Sequence, residues 1–277
     1  MKLYRTRAGA VLEREGRYHL LGSADWDALI NRDDLHAHLQ ALATGASETL
    51  APLVDAELLS PVSAQEVWAA GVTYLRSRDA RVEESTDAGG GDFYTRVYDA
   101  ERPELFFKAT AHRVARPGGA MRLRRDSTWD VPEPEFALFI TSSGTIAGYT
   151  IGNDLSSRSI EGENPLYLPQ AKTWDLSASL GPCLYVPAAP LPAETTIQLR
   201  IFREGSGAFF GEAQLSQMKR SFTELAAWLT RECTFPSGVF LMTGTCIVPP
   251  DSFTLAPGDE VRITIPPIGE LVNFIRA

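Results

Sequence analysis

Polar and apolar residues alternate through KLYRTRAGAVLE at the start of the chain. Glu15-Gly16 then turns it into RYHLLG, which predicts a hairpin over residues 2–22. Leu35, His38, Leu39 and Leu42 recur at helical spacing behind Asp33-Asp34, predicting a capped helix that ends near Gly45. The apolar run VWAAGV at residues 67–72 predicts a buried strand, and ELFFKAT at 104–110 predicts a second. Between them, TYLRSRDARVEES is helix-compatible and dense with charge, and three consecutive glycines follow it at 89–91. A charged, glycine-broken segment of this kind is a candidate lid. A hairpin is expected over 136–141 and 146–151, joined by Ser-Ser-Gly, and another around Glu204-Gly205-Ser206-Gly207. Ser221 and Glu224 have the spacing of a capping box, opening a helix with Phe222, Leu225, Ala226 and Leu229 on one face. Strands over 240–245, 261–265 and 270–275 close the chain.

Many short strands with Gly/Pro turns predict an α+β, β-dominated fold rather than a doubly wound one. The Pro-containing link LLSPVSAQE sets an expected boundary near Pro61. Residues 1–62 then form a small N-terminal α/β domain and residues 63–277 the larger one.

Composition narrows the function. A chain of 277 residues, 44% hydrophobic and 22% charged, can bury a large core as a globular protein. A formal net charge of -9 argues against a nucleic-acid partner, which calls for a basic patch. No apolar run reaches transmembrane length, and the first residues lack the apolar core of a signal peptide. Cys183, Cys233 and Cys246 are scattered without CxxC spacing, so reduced thiols in a cytoplasm are the simplest reading.

The candidate chemistry lies between Val131 and Pro182. Glu133 and Glu135 sit two residues apart in a strand-like run, so both carboxylates point to one face. Pro132 and Pro134 alternate with them. Proline cannot donate to a sheet ladder, which places this run at a strand start or an edge. Asp154 follows the next expected strand and opens a polar loop that runs to Tyr167. Three carboxylates on neighbouring strands form an all-oxygen site suited to hard ions, Mg²⁺ above all, then Mn²⁺ or Ca²⁺. The plain alternative is two solvated acids on an outward face. Lys108 is either a snorkelling rim residue or a cation aimed at an anionic substrate. Lys172 near Asp175 has a surface ion pair as its plain reading.

VPEPE, GYTIGNDLSSR, ENPLYLPQAK and the following D-x-S-x-S-L-G-P resemble the core of the fumarylacetoacetate hydrolase family. The likeness continues in LMTGTCIVPPD and LAPGDEVRITIPPIGELVN and covers roughly residues 66 to 277. It implies that family's mixed β-sandwich roll. It implies Glu133, Glu135 and Asp154 as ligands of a divalent cation, usually Mg²⁺, and a homodimer or higher homo-oligomer. It places Lys172 in the site, as a base or as a charge that steadies an enolate. It brings Lys108, Arg158, Thr243, Gly244 and Thr245 toward the substrate. Cys246 stands where the family leads one to expect glycine. The family's hydrolases carry a His-x-x-Glu pair on the lid that activates water. Ser77 and Ala80 occupy those positions here.

That departure argues against simple C–C hydrolysis. R-S-R-x-A-R-x-E-E-S resembles the branch containing 2-keto-3-deoxy sugar-acid dehydratases. The resulting expectation is a metal-dependent lyase acting on a small anionic 2-oxo acid through a metal-stabilised enolate. A 2-keto-3-deoxy pentonate would lose water to give a 2,5-dioxo acid, with Lys172 or a lid glutamate as base and Glu83 or Glu84 as acid. The alternative is hydrolysis or decarboxylation of an acylpyruvate or a 2,4-dioxo acid.

Overall fold

The computed structural model describes residues 1–22, 25–44, 47–49, 58–84 and 91–277, with the backbone alone at 47–49, 80–84 and 91–93. The chain opens with β1 (Lys2–Thr6), β2 (Gly9–Arg14) and β3 (Arg17–Leu20), helices α1 (Trp26–Ile30) and α2 (Leu35–Ala43), and β4 (Ser47–Thr49). Next come β5 (Glu66–Gly71), α3 (Leu75–Glu84), α4 (Gly91–Asp99), β6 (Glu104–Thr110), β7 (Val114–Ala115) and β8 (Ala120–Arg122). The central hairpin is β9 (Asp130–Ile140) and β10 (Ile146–Ser157), followed by α5 (Arg158–Glu163), α6 (Leu168–Lys172) and β11 (Ala178–Tyr185). The chain closes through β12 (Thr196–Arg203), β13 (Ser206–Gln214), α7 (Phe222–Leu229), β14 (Val239–Met242), β15 (Glu260–Ile265) and β16 (Gly269–Arg276).

One large mixed sheet runs β4-β3-β2-β1-β11-β10-β9-β14-β5-β6, with β7 beside β11. A smaller sheet runs β13-β12-β15-β16-β8. The β-dominated α+β expectation holds. β9 shows why the layers stack as they do, because it is buried along its whole length. Phe136, Leu138 and Ile140 join Ile197, Leu199, Ile201, Val261 and Ile263 in the core between the two sheets. Ala137 and Phe139, on the opposite face, join Trp26, Leu29, Ile30, Leu35 and Leu39 beneath α1 and α2. The sheet does not break at the expected boundary near Pro61, since β1 pairs antiparallel with β11 through Lys2↔Tyr185 and Leu3↔Leu184.

Several local expectations change. The first strand is two strands, because Arg7-Ala8 make a turn and the Thr6 hydroxyl donates to the Gly9 carbonyl at 2.7 Å. Glu15-Gly16 forms the expected turn, with both residues at positive φ. Asp34 occupies the N-cap position of α2 without a side-chain cap. Its carboxylate is instead held by Arg32, at 3.0 Å. At α7 the Ser221 hydroxyl accepts from Glu224 N–H at 3.1 Å, but the Glu224 carboxylate turns to Arg220, so half of the capping box forms. Of the charged, glycine-broken segment expected as a lid, Leu75–Glu84 form α3, residues 85–90 lie outside the described residues, and Gly91 and Asp92 begin α4. No described helix is long and apolar enough to cross a membrane.

Candidate metal centre and active site

β9 and β10 are longer than their hydrophobic runs, and the added length builds the site. The register places Glu133 opposite Asp154 and Glu135 opposite Gly152. Asp154 therefore lies within β10, and the polar stretch NDLSS is strand rather than the start of a loop. Asn153, Asp154, Ser156 and Ser157 are all buried; Asp154 and Ser156 face the carboxylate site, while Asn153 bonds to Asn273 and Ser157 to Ser127 on the other face of β10. On the other side of β9, β14 pairs only with Ala137 to Ile140. Pro132 and Pro134 fall beyond its reach, on the open stretch that their missing donors allow.

Where β14 ends, the chain turns through Thr243-Gly244-Thr245. Gly244 has φ +96, and a Cβ there would overlap the Thr73 hydroxyl, so only glycine fits this approach. The approach brings Gly244 N–H to Glu135 Oε2 at 2.5 Å. The Thr243 hydroxyl donates to the Phe136 carbonyl at 2.7 Å and fixes the turn against β9.

Glu133, Glu135 and Asp154 are all buried, and one carboxylate oxygen of each lies within 4.8 Å of the others. The reading as two solvated acids is thereby excluded. Burial pushes the Glu135 pKa well above its ordinary value, and the charges of Asp154 and Glu133 push it the same way, while the Gly244 N–H opposes them. Such a cluster calls for positive charge. Lys172 Nζ lies 2.8 Å from Glu133 Oε2 and 3.7 Å from Asp154 Oδ2, and it also donates to the Ser156 hydroxyl at 2.6 Å. Lys172 is fully buried. Its plain reading as a surface partner of Asp175 therefore fails, and the exposed Asp175 faces Arg113 instead. Arg158 opens α5, which Ser157 caps, and its Nη2 lies 2.9 Å from Glu133 Oε1.

Lys108 is fully buried rather than a snorkelling rim residue. Trp68 pairs with Phe107 while Val67 pairs with Ala109, so Lys108 is the extra residue of a bulge in β6. Bulges re-aim side chains. Here the ammonium reaches Asp154 Oδ1 at 2.5 Å, the Leu155 carbonyl at 2.9 Å and the Lys172 carbonyl. Burial lowers its pKa, and Asp154 draws it back up.

A small pocket of about 10 Å³ opens on this cluster. Glu133, Glu135, Arg158, Lys172, Gly244 and Thr245 line it. Lys108 and Thr243 are not on the lining: Lys108 stands behind Asp154, and Thr243 is bonded back to β9. Glu83 and Glu84 lie in α3, and their side chains are outside the described residues. Two cavity-facing or supporting residues escaped the sequence reading. Phe106 lines the cavity beside Ser77, and the buried Glu161 stands 3.8 Å from Arg158 Nε. The i,i+3 spacing of Arg158 and Glu161 at a helix start was a usable signal. Phe106 had none beyond its place two residues before Lys108. The donor set is all oxygen, buried and anionic, which fits a hard divalent cation held by Glu133, Glu135 and Asp154.

Comparison with known proteins agrees with this geometry. Residues 68–276 match the fumarylacetoacetate (FAA) hydrolase C-terminal family. The chain is 49% identical over 223 residues to a probable 2-keto-3-deoxyxylonate dehydratase of Haloferax volcanii, covering 80% of this chain and 76% of that one. It is 40% identical over 224 residues to the 2-dehydro-3-deoxy-D-arabinonate dehydratase of Saccharolobus solfataricus, covering 80% and 75%. A solved structure of 2-keto-3-deoxy-D-arabinonate dehydratase complexed with magnesium and 2,5-dioxopentanoate superposes with a TM-score of 0.84 at 32% identity. That match covers 100% of this chain and 99% of the other. By the extent of the family match and the identity to these relatives, this chain belongs to the fumarylacetoacetate hydrolase family.

Proposed function

We infer that this protein is a divalent-metal-dependent hydro-lyase that dehydrates a 2-keto-3-deoxy sugar acid, a pentonate, to a 2,5-dioxo acid. The observation that carries this reading is the buried Glu133, Glu135 and Asp154 cluster with the Lys172 ammonium against it. It is supported by the 49% and 40% identity to two dehydratases and by the neighbour complexed with magnesium and 2,5-dioxopentanoate.

The three carboxylates would hold Mg²⁺. Bound there, the ion supplies Lewis acidity toward the carboxylate and C2 carbonyl oxygens of a 2-oxo acid. The remaining work falls to side chains. Lys172, on the cavity wall, takes the proton from C3, which the adjacent carbonyl has made acidic, acting in its neutral amine form. Arg158 and Thr245 face the same space and orient the anionic substrate. Gly244 lets the backbone come close and keeps Glu135 turned inward. Glu83 or Glu84 on α3 protonates the C4 hydroxyl as it leaves. Lys108, expected at the substrate, is reassigned to holding Asp154. The substrate loses one water overall. The first elimination leaves a C3=C4 double bond; moving one proton from C5 to C3 then gives the C4=C5 enol, and moving the O5–H proton to C4 gives the 2,5-dioxo product.

Hydrolysis of an acylpyruvate is disfavoured by Ser77. It lines the cavity where the family's hydrolases carry histidine, and its hydroxyl is bonded to the Tyr74 carbonyl at 2.7 Å. The test offers the protein a 2-keto-3-deoxypentonate and an acylpyruvate in parallel with Mg²⁺, with product identification. A 2,5-dioxo acid from the first and no cleavage of the second is the expected result. Pyruvate and a carboxylic acid from the acylpyruvate alone would overturn the reading.

A further inference from the structure

We propose that the Lys172 ammonium is a resident counter-ion of the carboxylate cluster, standing where the divalent cation binds and displaced when the cation enters. The proposal rests on the reading that Glu133, Glu135 and Asp154 are the ligands, and it adds a step to that reading.

The observation is an asymmetry in how the three carboxylates are held. Each has one oxygen engaged by a donor fixed to the framework. Arg158 Nη2 takes Glu133 Oε1 at 2.9 Å, Gly244 N–H takes Glu135 Oε2 at 2.5 Å, and Lys108 Nζ takes Asp154 Oδ1 at 2.5 Å. The fixity of these donors is visible. Gly244 donates from the backbone itself. Arg158 is braced by Glu161, and Lys108 is tied to the carbonyls of Leu155 and Lys172. One oxygen of each carboxylate lies beyond these contacts. The Lys172 ammonium sits at two of the three, Glu133 Oε2 at 2.8 Å and Asp154 Oδ2 at 3.7 Å.

Lys172 is held differently from the other cations. Its side chain is bonded to Glu133 and to the Ser156 hydroxyl, and to no backbone carbonyl among the described residues. Its backbone is anchored, because its carbonyl accepts from Lys108 and from the Ser177 hydroxyl. The four-carbon stem can therefore swing while the end of α6 stays in place. An ammonium and a divalent cation cannot share the same two oxygens, since their repulsion at such range in a buried site is large. The ion has the higher charge and takes the oxygens. The ammonium moves into the cavity that Lys172 already lines beside Phe106, whose ring centre is 5.6 Å from Nζ. Ion entry thus brings the Lys172 side chain to the substrate space, and the empty site keeps its three acids partly neutralised.

The test is Mg²⁺ affinity by titration calorimetry at fixed pH in the wild type, Lys172→Met, Ser156→Ala and Glu135→Gln. Removing the competing charge makes Lys172→Met bind at least about tenfold tighter. Ser156→Ala keeps the lysine, loosens its placement, and binds about two- to threefold tighter, which gives a reading if Lys172→Met does not fold. Thermal unfolding supplies a second readout. The rise in Tm on replacing EDTA by Mg²⁺ is larger in Lys172→Met than in the wild type. Equal or weaker Mg²⁺ binding in both Lys172→Met and Ser156→Ala overturns the proposal while leaving the ligand assignment intact. Undiminished binding in Glu135→Gln removes the ligand assignment, and the proposal with it.

Discussion

Lys108 makes three contacts, hydrogen bonds to the Leu155 and Lys172 carbonyls and an ion pair with Asp154, and each touches a different part of the site. Replacing it with methionine keeps the length and apolar stem of the side chain and removes the charge. Asp154 then stays buried without its nearest cation, and two carbonyls lose a donor. Breaking a buried pair from one side costs roughly 3–5 kcal/mol. Lys108→Met is expected to lose stability of that order in chemical denaturation at neutral pH. A change below about 1 kcal/mol would show that Lys108 is not structural to the cluster. At this scale the sequence was partly legible. E-x-E in a strand put two acids on one face, but a pair of acids does not say whether that face is wet. The register that sets Asp154 opposite Glu133 settles it, and register is a property of two strands together. The role of Lys108 depended on a bulge, and no local residue type announces that bulge.

At the scale of elements, the site hangs on the end of β14. The turn after Met242 needs a glycine for two reasons, a positive φ and the absence of space beside Thr73. The Glu204-Gly205 turn of the β12–β13 hairpin needs one for the first reason only, because nothing lies within 4 Å of a Cβ at Gly205. The two alanine variants therefore separate the effects. Gly205→Ala is expected to cost about 1 kcal/mol through backbone strain alone. Gly244→Ala is expected to cost more, on the order of 3 kcal/mol, and to weaken Mg²⁺ binding by turning the N–H away from Glu135. Equal costs for the two in urea unfolding would contradict the tight fit at Thr73. Hairpins were the elements most open to sequence reading, since paired strands and turn residues lie close in the chain. The extension of β9 and β10 into polar sequence was not, because buried polar residues there serve a site and break the apolar pattern on which strand prediction relies.

For the whole molecule, the question is what the first 62 residues contribute. Their strands extend the large sheet through β1 and β11, and Leu3, Leu12, Trp26, Ile30 and Leu39 share a core with Phe139, Leu184 and Phe240. Residues 63–277 alone would expose that face and leave β11 open along the edge that β1 covers. We expect this fragment to aggregate or to unfold at a markedly lower temperature than the full chain, measured by light scattering and calorimetry. A monodisperse fragment of unchanged Tm would show that the two parts are independent. The overall class was legible from the many short strands, and the pairing of β1 with β11 was not, because it joins residues more than 180 positions apart.

The central claim is metal-dependent loss of water from a 2-keto-3-deoxy acid. The most direct measurement follows 2,5-dioxopentanoate formation from a 2-keto-3-deoxypentonate by NMR, in EDTA and after Mg²⁺ is restored, in the wild type and in Glu135→Gln. We expect no product in EDTA, full recovery of the wild type with Mg²⁺, and at least a hundredfold loss in Glu135→Gln, about 2.7 kcal/mol of barrier. Turnover that persists in EDTA, or undiminished turnover by Glu135→Gln, would contradict the account.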